Sequence, residues 1–158
     1  MRRNGHRLSH GKRAPSNPLT VGFYCDRWPT FHPMHGPARY VVTLAEELVG
    51  RGVSVHIVTA EPGPPRVIPE NGYTLHTFPL KPLRVVSRFQ PGIGESIELY
   101  RQLRRLHTRI GFDLVEFTNV EGVGFQSCWA GAFPTVIRVH TTAFDALRIG
   151  AARPRLEA

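Results

Sequence analysis

Cysteine is nearly absent from this sequence. Cys25 and Cys128 are the only two in 158 residues, far apart and in no metal or redox spacing. That excludes a disulfide framework and a multi-cysteine metal module, and leaves two reduced core thiols as the expectation. No apolar run reaches 18 residues, so no segment reads as a membrane-crossing helix. The first 18 residues, "MRRNGHRLSHGKRAPSNP", hold five basic residues and no acidic one, with no apolar stretch behind the charges. They do not read as a secretory signal. Their lack of periodicity makes residues 1–18 a disordered basic arm.

Charge is present in excess of one sign. The net charge is +8, which fits nucleic acid or an anionic surface as partner. Arginine greatly outnumbers lysine, however, and is scattered along the chain. No segment interleaves aromatic and basic residues as a single-strand binding platform does. Nucleic acid is therefore not the expected partner, and steep salt dependence of duplex binding is what would reveal it.

Hydrophobic residues make up 41% of the chain and charged ones 20%, ordinary values for a globular domain. "LTVGFYC" is a buried strand. A turn-rich loop, "DRWPTFHPMHG", leads into a helix whose Ala38, Val41, Val42, Ala45, Leu48 and Val49 make one apolar stripe. Pro37 suits its first turn, and Gly50 and Gly52 its end. "VSVHIVTA" is the next strand, which completes a right-handed βαβ unit. "EPGPPRVIPENG" reads as a surface loop and "YTLHTFPL" as a third strand. The stretch from Lys81 to Gly94 has weak periodicity. A second helix is expected over Glu95 to Ile110, a fourth strand at "FDLVEFTN", a short helix over Gly122 to Ala132 and a fifth strand at "PTVIRVHTT".

Strands alternating with helices predict an α/β fold with an open, doubly wound parallel sheet. Ligands in such sheets bind beyond the carboxyl ends of the strands. Three of those ends, "CDRWPTFHPMHG", "FTNVEG" and "VHTT", are polar or glycine-bearing and are expected to converge.

The ordered set "ARYVVTLAEELVGRGVSVHIVT", "ENGYTLHTFPL", "FDLVEFTN" and "PTVIRVHTT" resembles the N-terminal domain of family 4 glycosyltransferases, which have the GT-B fold. The similarity runs from Leu19 to Thr142. It implies a Rossmann-like, incomplete glycosyltransferase N-terminal domain over residues 19–144, followed by an irregular tail at 145–158. In the family this half mainly binds the acceptor. A C-terminal half holds the nucleotide-sugar donor, with a Glu-x7-Glu motif that this chain does not contain. Transfer is typically retaining and uses no metal ion or other cofactor.

The resemblance thus implies the acceptor-side domain of a hexosyltransferase-like enzyme, inactive until a C-terminal half joins it in cis or in trans. Its partners are a nucleotide-sugar and a sugar or lipid-linked acceptor. Its expected place is cytoplasmic, with peripheral contact at the membrane face open through the basic helix residues Arg101, Arg104, Arg105 and Arg109. The alternative is a non-enzymatic remnant or binding module with the same half-fold.

Within that frame the helix start at Gly36 offers unpaired N–H groups and partial positive charge, which attract phosphate. Gly36 has no Cβ and lets a diphosphate or sugar approach, unless it only makes the turn. His35 stands where the family often has a first glycine; its ring either crowds that approach or donates a hydrogen bond. His140, at a strand end, is the catalytic candidate by resemblance, positioned to touch the transferring sugar or the acceptor. Thr141, Asn119 and Glu121 are candidates for acceptor hydroxyls, and Arg39 for an acceptor phosphate or carboxylate. Asp26, His32, His35 and His140 match no strong metal spacing, and no metal site is expected. "GVGFQS" lacks the third glycine of a dinucleotide fingerprint and follows the wrong strand.

Overall fold

The computed structural model describes residues 18–81, 92–118 and 122–139. The chain runs β1 (Thr20–Tyr24), α1 (Gly36–Gly50), β2 (Ser54–Ala60), β3 (Arg66–Glu70), β4 (Tyr73–Phe78), α2 (Ile93–Ile110), β5 (Leu114–Thr118), α3 (Phe125–Ala130) and β6 (Thr135–Arg138). The strands form one six-stranded sheet in the order β3-β4-β2-β1-β5-β6. All neighbours are parallel except the β3–β4 pair. The expected open α/β sheet is what the chain forms.

β1 is central and all five of its residues are buried, as both faces of a parallel strand must be covered. Alternation divides them. Val21 and Phe23, with Cys25 one residue past the strand, pack with Ala38, Val41 and Ala45 of α1 and with Ile57 and Leu75. Tyr24 packs on the opposite face with Leu99 and Leu103 of α2 and with Val58, Val115 and Phe117. The apolar stripe read from the sequence is thus the buried face of α1.

The surface loop expected from "EPGPPRVIPENG" is instead an antiparallel edge strand, β3, joined to β4 by a tight turn. Asn71 and Gly72 both adopt positive φ, 45° and 84°, the backbone that Asn-Gly hairpin turns require. A Cβ on Gly72 would stand 2.8 Å from Val49 Cγ1, so the turn also seats α1. Pro69 is tolerated because β3 is an edge strand.

The expectation for the thiols needs a correction as well. Cys25 is buried, but Cys128 is exposed on α3. Beside it Trp129 is 78% exposed, and Phe125, Val136, Ile137 and Val139 are also exposed, so the β6 end of the sheet carries an apolar patch.

Two histidines sit in the α2-side layer. His56 Nδ1 and His76 Nε2 are 3.0 Å apart, and His56 packs edge-on against Phe112. Burial, with His56 alongside, pushes the His76 pKa down from 6.5 to about 4. His76 therefore contributes stability that is full above pH 6.5 and is lost as pH falls toward about 4, because the unfolded chain takes up the proton first. Thermal melts across that window are expected to show a downward slope that flattens in His76→Leu. An unchanged slope in the variant would place the acid sensitivity elsewhere.

Candidate functional site

The carboxyl ends of β1, β2 and β5 open on one cavity of about 180 Å³. Tyr24 and Asp26 line it from β1, Ala60 from β2, Thr118 from β5, and Leu80, Glu95 and Val123 close it. Two of the three strand ends singled out in the sequence, those after β1 and β5, therefore meet at one cavity. Of the third end, "VHTT", only Val139 is among the described residues. Asn119, Glu121, His140 and Thr141 lie outside the described residues, as do 1–17, 82–91 and 140–158.

The loop from Asp26 to His35 is held by a residue that sequence reasoning passed over. Trp28 is fully buried and meets Tyr73 edge-to-face, with ring centroids 5.8 Å apart. Its Nε1 donates to Glu70 Oε2 at 3.3 Å, and Thr30 Oγ1 donates to the same carboxylate at 3.0 Å. Arg66 stacks over Phe31 at 5.1 Å. The loop thus lies along β3, the strand the sequence hid. His32 Nε2 meets the buried Glu61 carboxylate at 2.8 Å. Of the four residues weighed from sequence as a metal set, Asp26 and His35 lie together beside Cys25, His32 is not in that group, and His140 lies outside the described residues.

His35 is the N-cap of α1, with extended backbone and no side-chain capping bond. Its ring folds back, Nε2 donating to the Arg27 carbonyl at 2.9 Å. Cys25 Sγ donates to that same carbonyl at 3.5 Å, and burial pushes its thiol pKa up to about 12. Gly36 is exposed; it does not have positive φ, and a Cβ there would meet nothing within 4 Å. Neither backbone nor packing requires glycine at this position. Arg39 is exposed one turn into α1, with no ion pair among the described residues.

β6 is fastened by a second feature the sequence did not reveal. Glu116, 7% exposed, accepts from Arg138 Nε at 2.7 Å and from Tyr40 Oη at 3.0 Å. The Arg138 guanidinium also lies 4.7 Å over the Tyr40 ring. Burial and the adjacent carboxylate raise the Tyr40 pKa to about 12, so it remains a donor. α1, β5 and β6 are tied together two residues before His140. The "GVGFQS" stretch leads into the six-residue α3, which starts at Phe125.

The family model described as Glycosyltransferase Family 4 matches residues 34–158. Sucrose-phosphate synthase from Thermosynechococcus elongatus aligns with a TM-score of 0.64 at 17% identity, over 88% of this chain and 37% of its own. A second sucrose-phosphate synthase structure from that organism, covering part of the protein, aligns at 0.51 and 18% identity over 84% of this chain and 68% of its own. The glycotransferase of kitacinnamycin aligns at 0.51 and 14% identity, over 85% of this chain and 34% of its own. No curated protein matches. The chain spans little more than a third of the two longer structures and shares the fold of that part.

Proposed function

The chain belongs to glycosyltransferase family 4, and on that premise we propose that it is the acceptor-side domain of a retaining, metal-independent transferase that uses a nucleotide-sugar. The carrying observation is the cavity at the strand ends, whose lining pairs Asp26, Glu95 and Thr118 with Leu80, Val123 and the ring of Tyr24. Carboxylates and a hydroxyl accept hydrogen bonds from sugar hydroxyls, while the apolar groups cover the faces of a sugar ring. Among the described residues the lining contains two acids and no cation, which suits a neutral polyhydroxylated acceptor better than a diphosphate.

In this reading the diphosphate approaches the start of α1, where the helix N–H groups point outward past Gly36. His35 and Arg39 flank that approach, and His140 contacts the transferring sugar. Asn119, Glu121 and Thr141 hold acceptor hydroxyls. The donor-gripping wall comes from a C-terminal half. The exposed arginines of α2, Arg101, Arg104, Arg105 and Arg109, suit peripheral contact with an anionic cytoplasmic membrane face.

Gly36 supplies the test. Because nothing in the chain requires glycine, Gly36→Ala is expected to leave stability unchanged or raise it by about 0.4–1 kcal/mol. Gly36→Val, in an enzyme completed by a C-terminal half, is expected to cut kcat/KM strongly while the melting temperature barely moves. If Gly36→Val leaves transfer intact, the diphosphate does not approach α1. If a completed protein neither binds nor turns over nucleotide-sugars, the chain is a binding module or remnant with this half-fold.

A further inference from the structure

A thiol sulfur, a carboxylate oxygen and an imidazole nitrogen of Cys25, Asp26 and His35 all lie within 4.8 Å of one another. We propose that this cluster binds a zinc-class divalent cation, in a site built from the turn after β1 and the residue that caps α1. The cluster shares Asp26 and His35 with the transfer reading, but the ion itself takes no part in moving a sugar.

Both halves of the site are held in place before any ion arrives. The Cys25 backbone N–H donates to Val58 O at 3.0 Å and so extends the sheet by one rung. The His35 carbonyl accepts from Arg39 N at 2.9 Å in the first turn of α1. Between them the Arg27 carbonyl receives hydrogens from both Cys25 Sγ and the His35 ring, so three of the atoms already converge. A cation takes the place of the thiol hydrogen, the His35 ring shifts to the tautomer protonated on Nδ1 so that Nε2 offers a lone pair, and the Arg27 oxygen or a water becomes the fourth ligand. Donors in a tetrahedral zinc site stand about 3.5 Å apart, so the cluster closes by about 1 Å. Asp26 and His35 are half-buried, so their side chains face solvent on one side.

The donor set selects the metal. Thiolate and imidazole together favour zinc over magnesium or calcium, which take oxygen ligands. Charge balances too: binding releases the Cys25 proton to solvent, and thiolate plus carboxylate neutralise the two positive charges. His32, the nearby histidine in the same loop, is taken by Glu61.

Cobalt(II) is the probe, since a thiolate ligand gives it a charge-transfer band that histidines elsewhere in the chain cannot produce. Titrating the metal-free, reduced full chain with cobalt(II) is expected to raise that band to one equivalent, and zinc(II) to bleach it. The band should vanish in Cys25→Ser and persist in Cys128→Ser, which removes the exposed thiol. Should Cys25→Ser misfold, His35→Ala and Asp26→Asn carry the same test from half-buried positions, each weakening cobalt binding by at least about tenfold with the circular dichroism unchanged. Absence of the band, its loss in Cys128→Ser, or unchanged binding in both His35→Ala and Asp26→Asn overturns the proposal.

Discussion

The 158-residue chain, purified alone and supplied with nucleotide-sugars and acceptors, is expected to transfer no sugar. Transfer requires an anomeric carbon held against an acceptor oxygen while the charge of the leaving diphosphate is stabilised. Among the described residues the cavity at the strand ends offers carboxylates from Asp26 and Glu95 and no cation. The start of α1 supplies helix N–H groups on one side only. Without an opposing wall most of the positioning contribution is missing, roughly 7 kcal/mol or more of barrier. Adding a matching C-terminal half is expected to restore turnover, and His140→Ala in that assembly to remove most of it. A pure chain that turns over nucleotide-sugars with a defined acceptor would falsify the two-wall reading. Full activity in the completed His140→Ala variant would dismiss that histidine alone.

Trp28→Ala is expected to be the most damaging single change to stability at the site. The side chain is fully buried, and its removal takes away the contact with Tyr73 and the bond to Glu70. Truncating a buried tryptophan costs about 3–5 kcal/mol. Trp28→Phe keeps most of the ring contact and loses the bond, so a cost of about 1 kcal/mol is expected. Urea denaturation of the three proteins separates the cases. In a completed enzyme, Trp28→Phe should also raise KM, because the loop bearing Asp26 and His35 loses its anchor on β3. A cost below about 1 kcal/mol for Trp28→Ala would show that the loop is held by Thr30, Phe31 and His32 without it.

The βαβ unit was legible because its cause is local. The apolar stripe of α1 repeats every three and four residues, and the flanking strands are continuous apolar runs buried on both faces. β3 was hidden by its prolines, which outweighed the one signal that mattered, Asn71-Gly72 before a strand. Recognising that pair as a hairpin turn recovers both the strand and its register. The anchors of the site were not legible. Trp28 and Glu70 are 42 residues apart, and Tyr40 and Glu116 are 76 apart. Nothing in their local sequence announces a partner. The same holds for Cys25, which reads as a core thiol and becomes a metal candidate only when α1 brings His35 beside it. The exposure of Cys128 follows from α3 covering the sheet with its other side, where Ser127 is fully buried.

The Glu116 clasp has a consequence for how this sequence can change over generations. Glu116 accepts from both Arg138 and Tyr40, so losing Arg138 alone leaves a buried carboxylate without its counter-charge, and losing Glu116 alone takes the acceptor from the guanidinium. Each single step goes downhill in stability, whereas replacing the charged pair together by apolar residues of similar volume can be nearly neutral. Positions 40, 116 and 138 are therefore expected to change together. A lineage leaves the polar version only by a paired change, or by a first step tolerated through stability gained elsewhere.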